Sequence, residues 1–216
     1  MSTEISHHPD GVTLMSYAAA TIAEPLAAVV AAHLAMCPRC RAEVGDLERL
    51  GSAIMLSSPG RPGDAALKVP RQPTDVAIPA AQRIAHVPGR LPAPIAAAYG
   101  LSLENIPWKR LGPGVWHHRL ALRRASDGDL RLLRIAPGRT MPDHGHGGAE
   151  LTLVIEGAYS DITGVYRRGD IQDVDEGIEH QPIVDKAAEC VCLIASEHPA
   201  RFKSLVGRLT QPWTRM

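Results

Sequence analysis

Apolar residues fall at helical spacing in the first quarter of the chain and at strand spacing in the last half. Val12–Ala20 is Ala-rich with apolar positions three and four apart, which predicts a first helix. Pro25 sits where an opening helical residue would, preceded by Glu24, and Leu26, Val29, Val30, His33 and Leu34 follow on one largely apolar face. Pro38 repeats the device after Cys37. It opens a third helix whose stripe is Val44, Leu47, Leu50 and Ile54, with Gly45 and Gly51 weakening it. A helical unit of roughly 55 residues is marginal without a staple. Beyond residue 113 the pattern changes. Val115–Ala121, Leu130–Ile135, Leu151–Ile155, Gly164–Tyr166, Ile183–Val184 and Val191–Ala195 alternate or run apolar, separated by Gly, Pro and Asp clusters. Short strands at such spacing predict an antiparallel barrel or sandwich.

Between these parts the pattern dissolves. Ten of the 18 prolines lie between Pro59 and Pro113. Proline removes a donor and clashes with the preceding turn, so this stretch reads as a linker, with room for a short helix around Ala80–His86. Charge divides the chain at the same places. Residues 1–58 carry three Arg against six acids (net −3), 59–113 seven basic against three acidic (net +4), and 114–216 13 against 14 (net −1). The expected organisation is α+β with two domains. A helical domain covers residues 1–58, an extension to 86 being open. A Pro-rich linker covers 59–107, and an antiparallel β-barrel 108–216.

Composition narrows the function classes. The 216 residues balance 23 Lys+Arg against 23 Asp+Glu, and one Phe, three Trp and four Tyr offer little for base stacking. The net −3 of the helical part opposes a zinc-finger DNA binder, because phosphate neutralisation needs Lys and Arg. No basic and then apolar leader opens the chain, and its longest apolar stretch, Pro25–Met36, is too short to span a bilayer. A cytoplasmic protein without membrane contact is expected.

The four cysteines form two close pairs, Cys37/Cys40 and Cys190/Cys192, where a disulfide framework would disperse them. His33-x3-Cys37-x2-Cys40 places two thiols about one turn apart beside an imidazole. A closed tetrahedral site needs a fourth ligand, and His7 and His8 are the nearby candidates, which spacing does not separate. Two thiolates and two imidazoles suit Zn(II). A redox reading of the Cys pair needs a βαβ setting, which this stretch lacks.

A second cluster lies among the strands. Gly138-x5-His144-x-His146-x3-Glu150-x6-Gly157 is followed by Gly169-x5-Asp175-x-Gly177-x2-His180. His144 and His146 share a strand face, Gly147-Gly148 permits a bend towards Glu150, and His180 comes from another strand. Three imidazoles and a carboxylate inside a barrel suit Zn, Fe(II), Mn(II) or Ni(II). Cys190 and Cys192 read best as small buried hydrophobes, since two Cys this close on one strand would make a strained disulfide.

The strand motifs resemble the cupin family, departing from it at Asp175, where Pro is usual, and at Val184, where Asn is usual. The helical cluster resembles the zinc-binding anti-sigma domain. Both together, in this order, resemble the ChrR-type anti-sigma factors over nearly the whole chain. The resemblance implies His8, rather than His7, as the fourth zinc ligand with His33, Cys37 and Cys40. It also implies zinc at His144, His146, Glu150 and His180.

The implied function is that of an anti-sigma factor. The helical domain would cover an extracytoplasmic-function (ECF) sigma factor, one to one, and the cupin domain would be needed for release under singlet oxygen or related oxidative stress. Leu14, Tyr17 and Leu26 are the expected exposed anchors. The family has a fourth helix after the zinc unit, and Pro70, Pro73 and Pro79 predict it short or displaced here. The alternative is a cupin metalloenzyme, a dioxygenase or isomerase, with the helical unit for docking.

Overall fold

The computed structural model describes residues 4–57, 89–123, 128–198 and the backbone of 201–202. The predicted helix around Ala80–His86, and the stretch holding Pro70, Pro73 and Pro79, lie outside those residues.

Three helices open the chain: α1 (Gly11–Ala18), α2 (Glu24–Met36) and α3 (Pro38–Ser57). Asp10 caps α1, its carboxylate accepting from the Thr13 amide at 2.6 Å. Glu24 and Pro25 open α2, where a missing N–H costs nothing. Val29, Val30, Ala32 and His33 of α2 are all fully buried. The helix is apolar on several sides because it has packing partners on several sides. It contacts α1 and α3, and it lies on strands β3 (Asp129–Ile135), β5 (Glu150–Glu156) and β11 (Cys190–Ser196).

A fourth helix, α4 (Ala93–Tyr99), corrects the expectation for the Pro-rich stretch. It packs on α2, and Leu91, Ile95 and Ile106 around it are buried. Pro92 and Pro94 stand at its entry, where proline is tolerated, so they start a helix instead of preventing one. The described end of the expected linker is therefore part of the packed body.

The strands form a six-stranded antiparallel sheet and two smaller ones. The large sheet runs β1 (Lys109–Gly112), β2 (Val115–Arg119), β3, β11, β5, β8 (Ile171–Val174). One smaller sheet orders β10 (Ile183–Val184), β6 (Ala158–Asp161) and β7 (Gly164–Arg167). The other orders β12 (Arg201–Phe202), β4 (His144–Gly145) and β9 (Glu179–His180). The expected fold class holds, α+β with a cupin-like strand domain, although backbone pairing does not run unbroken round a closed barrel among the described residues.

The central strands are buried on both faces, which hides their period of two. Leu130, Leu132, Leu151, Leu153, Ile155, Val191, Leu193 and Ala195 join the helices in one core. The alternate positions Leu133, Ile135, Val154, Cys190 and Cys192 join Tyr159 and Tyr166 in a second core. Gly157 turns the chain between β5 and β6 at φ +75°, and a Cβ there would meet the Glu189 carbonyl oxygen at 2.1 Å. The close backbone approach accounts for this glycine of the first cupin motif.

Two expected surface residues are core residues. Leu14 and Leu26 are 1% and 3% exposed, and Tyr17 is half-buried against the same core. The exposed apolar side chains of α1 are Val12 and Met15, and those of α3 are Leu50, Ile54, Met55 and Leu56. The α3 stripe thus begins buried at Val44 and runs out into solvent past Leu47.

Candidate metal centres

The first cluster gathers at the α2–α3 junction. One ligand atom from each of His8, His33, Cys37 and Cys40 lies within 4.8 Å of the others. His33 lies in the last turn of α2 and Cys40 in the first turn of α3, with Cys37 as the hinge between them. His8 arrives from the extended N-terminal segment, its Nδ1 3.6 Å from Cys37 Sγ and 3.3 Å from Cys40 Sγ. His7 is turned away: its ring lies over Tyr166, centroids 4.5 Å apart, and its Nδ1 is 3.5 Å from Asp170.

The chemistry of the first cluster fits a soft divalent metal. His33 is fully buried, its Nδ1–H donates to the Gly169 carbonyl at 3.0 Å, and its Nε2 has no hydrogen-bond partner. Burial pushes its pKa down to about 4, the Gly169 hydrogen bond opposing only in part, so the imidazole is a neutral ligand across the physiological range. Burial, and then Cys37, push the Cys40 thiol up to about 12. A bare thiolate pair would be costly here, and a bound cation would supply the compensating charge.

The second cluster forms inside the strand domain. His144, His146, Glu150 and His180 likewise offer ligand atoms within 4.8 Å of one another. Antiparallel pairing of β4 with β9 sets His144 directly opposite His180, joining the two halves of the motif. His146 follows β4 and Glu150 opens β5, across the Gly147-Gly148 bend. The three ring centroids are 4.7 to 5.2 Å apart.

Each histidine's surroundings bear on its ligand nitrogen. His144 Nδ1 donates to the Pro142 carbonyl at 2.9 Å, and His180 Nδ1 to Asp161 at 2.6 Å, which leaves Nε2 as acceptor in both. These two Nε2 atoms are 3.3 Å apart. His146 is buried with no hydrogen-bond partner at either nitrogen, and its Nδ1 lies 3.4 Å from a Glu150 oxygen. Burial alone would raise the Glu150 acid; the close approach of His146, then the positive charge that His144 and His180 can carry, bring it below the ordinary carboxylate value. Burial also lowers His144. A carboxylate beside three imidazoles, one with an orphaned nitrogen, is a donor set for a divalent cation.

Sequence reasoning did not find the supports of this site. Asp161 accepts from Thr163, Gln172 and His180, and Gln172 accepts from the Tyr159 hydroxyl at 2.8 Å. The signal at Asp161 is only a D-x-T-G turn, with nothing in its spacing to tie it to His180. Cys190 and Cys192 are buried with sulfurs 3.5 Å apart; their mutual hydrogen bond and then burial push the Cys192 thiol well up. They lie in the second core as small hydrophobes.

Comparison with known proteins bears on both halves of the chain. The chain is 38% identical over 218 residues to the anti-sigma-E factor ChrR of Cereibacter sphaeroides, covering 98% of this chain and 99% of that protein. The chain belongs to the ChrR family. The family model described as the ChrR cupin-like domain matches residues 97–200, from the end of α4 through β11. A ChrR family member also supplies a structural match: the crystal structure of Rhodobacter sphaeroides SigE in complex with the anti-sigma ChrR. The TM-score is 0.71 at 34% identity, covering 89% of this chain and 99% of that one. No helix among the described residues is long and apolar enough to cross a membrane.

Proposed function

We propose that this chain is an anti-sigma factor that binds and inhibits an ECF-type sigma factor, one to one, in the cytoplasm. The end-to-end similarity to a protein named anti-sigma-E factor, and to the ChrR of a SigE complex, carries this reading. Residues 1–58 are the sigma-binding module and residues 108–216 the cupin sensor. The stretch from 59 to 107 joins them.

Zinc at His8, His33, Cys37 and Cys40 is structural. It ties α2, α3 and the N-terminal segment into a unit too small to hold itself by burial alone. The cation at His144, His146, Glu150 and His180 is read as zinc as well. The donors also suit Fe, Mn or Ni. The cupin domain is the part needed for release under singlet oxygen or related oxidants.

The docking surface is the exposed apolar row of α1 and α3: Val12, Met15, Leu50, Ile54, Met55 and Leu56. An amphipathic helix face of this kind suits apolar recognition by a partner's helices. The six acids and three Arg of this module favour a basic partner surface. Calorimetric titration of an ECF-type sigma factor from the same organism with full chain tests the surface. Leu50→Glu is expected to lower affinity at least tenfold with an unchanged melting temperature. Unaltered binding by Leu50→Glu and Met55→Glu alike would remove α3 from the interface.

A further inference from the structure

The first metal cluster belongs to the helical module by sequence, but it is not held by that module alone. Two consecutive residues of the strand domain, at the turn between β7 and β8, touch both histidines of the cluster or the chain that carries them. Gly169 presents its carbonyl oxygen to His33 Nδ1 at 3.0 Å. Asp170, 1% exposed, accepts from the main-chain amides of Ser6 at 2.7 Å and His7 at 3.0 Å, two residues and one residue before His8. The Ser6 hydroxyl adds a longer contact, and the Ile171 amide donates to the His7 carbonyl at 3.2 Å.

This turn is built to receive the segment. Gly169 sits at φ +92°, and a Cβ there would strike Ile5 at 2.7 Å and approach Met36 at the end of α2. Only glycine lets the N-terminal segment lie this close while aiming its carbonyl at His33. Asp170 is fixed from its own side by the Arg167 amide at 2.8 Å. It is a buried carboxylate whose acceptor capacity is spent largely on another module's backbone.

We propose that the Gly169–Asp170 turn is the outer coordination shell of the helical module's metal site, with Gly169 setting the tautomer of His33 and Asp170 positioning the segment that delivers His8. The inference rests on the reading that His8, His33, Cys37 and Cys40 hold zinc. It makes zinc retention in the sigma-binding module depend on the sensor domain. Partners that orient metal ligands are worth about 10- to 100-fold in metal affinity. Asp170 is a positioning residue, since it touches no ligand atom of the cluster.

The test uses zinc-loaded full chain at a fixed chelator concentration, reading alkylation of each cysteine by peptide mass spectrometry. All four cysteines are buried; zinc holds the segment that covers Cys37 and Cys40, and Cys190 and Cys192 report on unfolding of the strand domain. Asp170→Ala is expected to speed labelling of Cys37 and Cys40 roughly tenfold with labelling of Cys190 and Cys192 unchanged. Wild-type labelling rates at Cys37 and Cys40 in this variant would overturn the proposal. Should all four cysteines label faster, Ser6→Pro decides. It deletes one amide donor to Asp170 at the exposed Ser6 and leaves the strand domain untouched. It is expected to raise labelling of Cys37 and Cys40 alone, and wild-type rates there would overturn the proposal. If wild-type Cys37 and Cys40 label equally with and without zinc, the zinc reading itself falls, and the outer shell with it.

Discussion

Replacing Asp161 by Asn would disable His180 as a ligand without removing it. The Asp161 side chain is sealed from solvent and fully engaged. Oδ1 accepts from the Thr163 amide and hydroxyl and, at 3.3 Å, from the Gly164 amide. Oδ2 accepts from Gln172 Nε2 at 2.7 Å and His180 Nδ1 at 2.6 Å. An Asn that keeps Oδ1 in place turns an NH2 group towards two donors. Inverting Gln172 to accept would withdraw its Nε2 from Thr163 and set its NH2 against the Tyr159 hydroxyl, which now donates to it. The remaining relief is for His180 to move its proton to Nε2, the nitrogen that faces His144 in the metal cluster. The expected loss is about 10- to 100-fold in metal affinity at that site, about 1.4 to 2.7 kcal/mol. Chelator competition on the full chain measures it, with metal at the Cys/His cluster as internal reference. Loss at the strand-domain site alone supports the reasoning. Unchanged affinity at that site would refute it, as would equal loss at both sites, which would signify general unfolding.

Other outcomes follow from burial and backbone. Leu14→Ala should cost about 2–5 kcal/mol by denaturant unfolding, whereas Met15→Ala next to it should stay within about 0.5 kcal/mol. Gly157→Ala sets a side chain at φ +75° against the Glu189 carbonyl, and should cost at least about 2 kcal/mol or prevent folding, read from soluble yield and melting temperature. Burial would raise Asp170, but the amides of Arg167, His7 and Ser6 hold it below the ordinary 3.8. Its contribution is therefore complete above pH 3.8 and lost as pH falls through the depressed native value. Asp170→Asn should flatten the acid limb of stability below about pH 4 relative to wild type, measured by chemical denaturation. An unchanged limb would mean that Asp170 titrates alike in the folded and unfolded chain.

Much of this architecture was legible because its signals are local. His33-x3-Cys37-x2-Cys40 straddles a helix boundary announced by Pro38, and the cupin glycines and histidines keep fixed offsets. The two-residue strands β4 and β9 were not legible. No hydrophobic period exists over two residues, and their pairing rests on the register of His144 with His180. Helix α4 was hidden by Pro92 and Pro94, read as breakers where they serve as openers. Leu14 and Leu26 were misjudged because a small helical unit taken alone must expose one face. Here α2 is covered on that side by β3, β5 and β11. Asp161 and Asp170, and the contact of the motif glycine Gly169 with His33, act between segments distant in sequence, a pairing that a single sequence does not show.

In the proposed function a sigma-binding module is stapled by one metal and joined to a sensor that holds another. Co-expressing the full chain with the ECF-type sigma factors of its organism, followed by size exclusion and metal analysis of the peak, tests this most directly. The account predicts a one-to-one complex carrying two metal ions per chain, zinc at the Cys/His cluster, and loss of the complex when Cys37 and Cys40 are both replaced by Ser. A full chain that carries both metals but elutes apart from the sigma factor would contradict it.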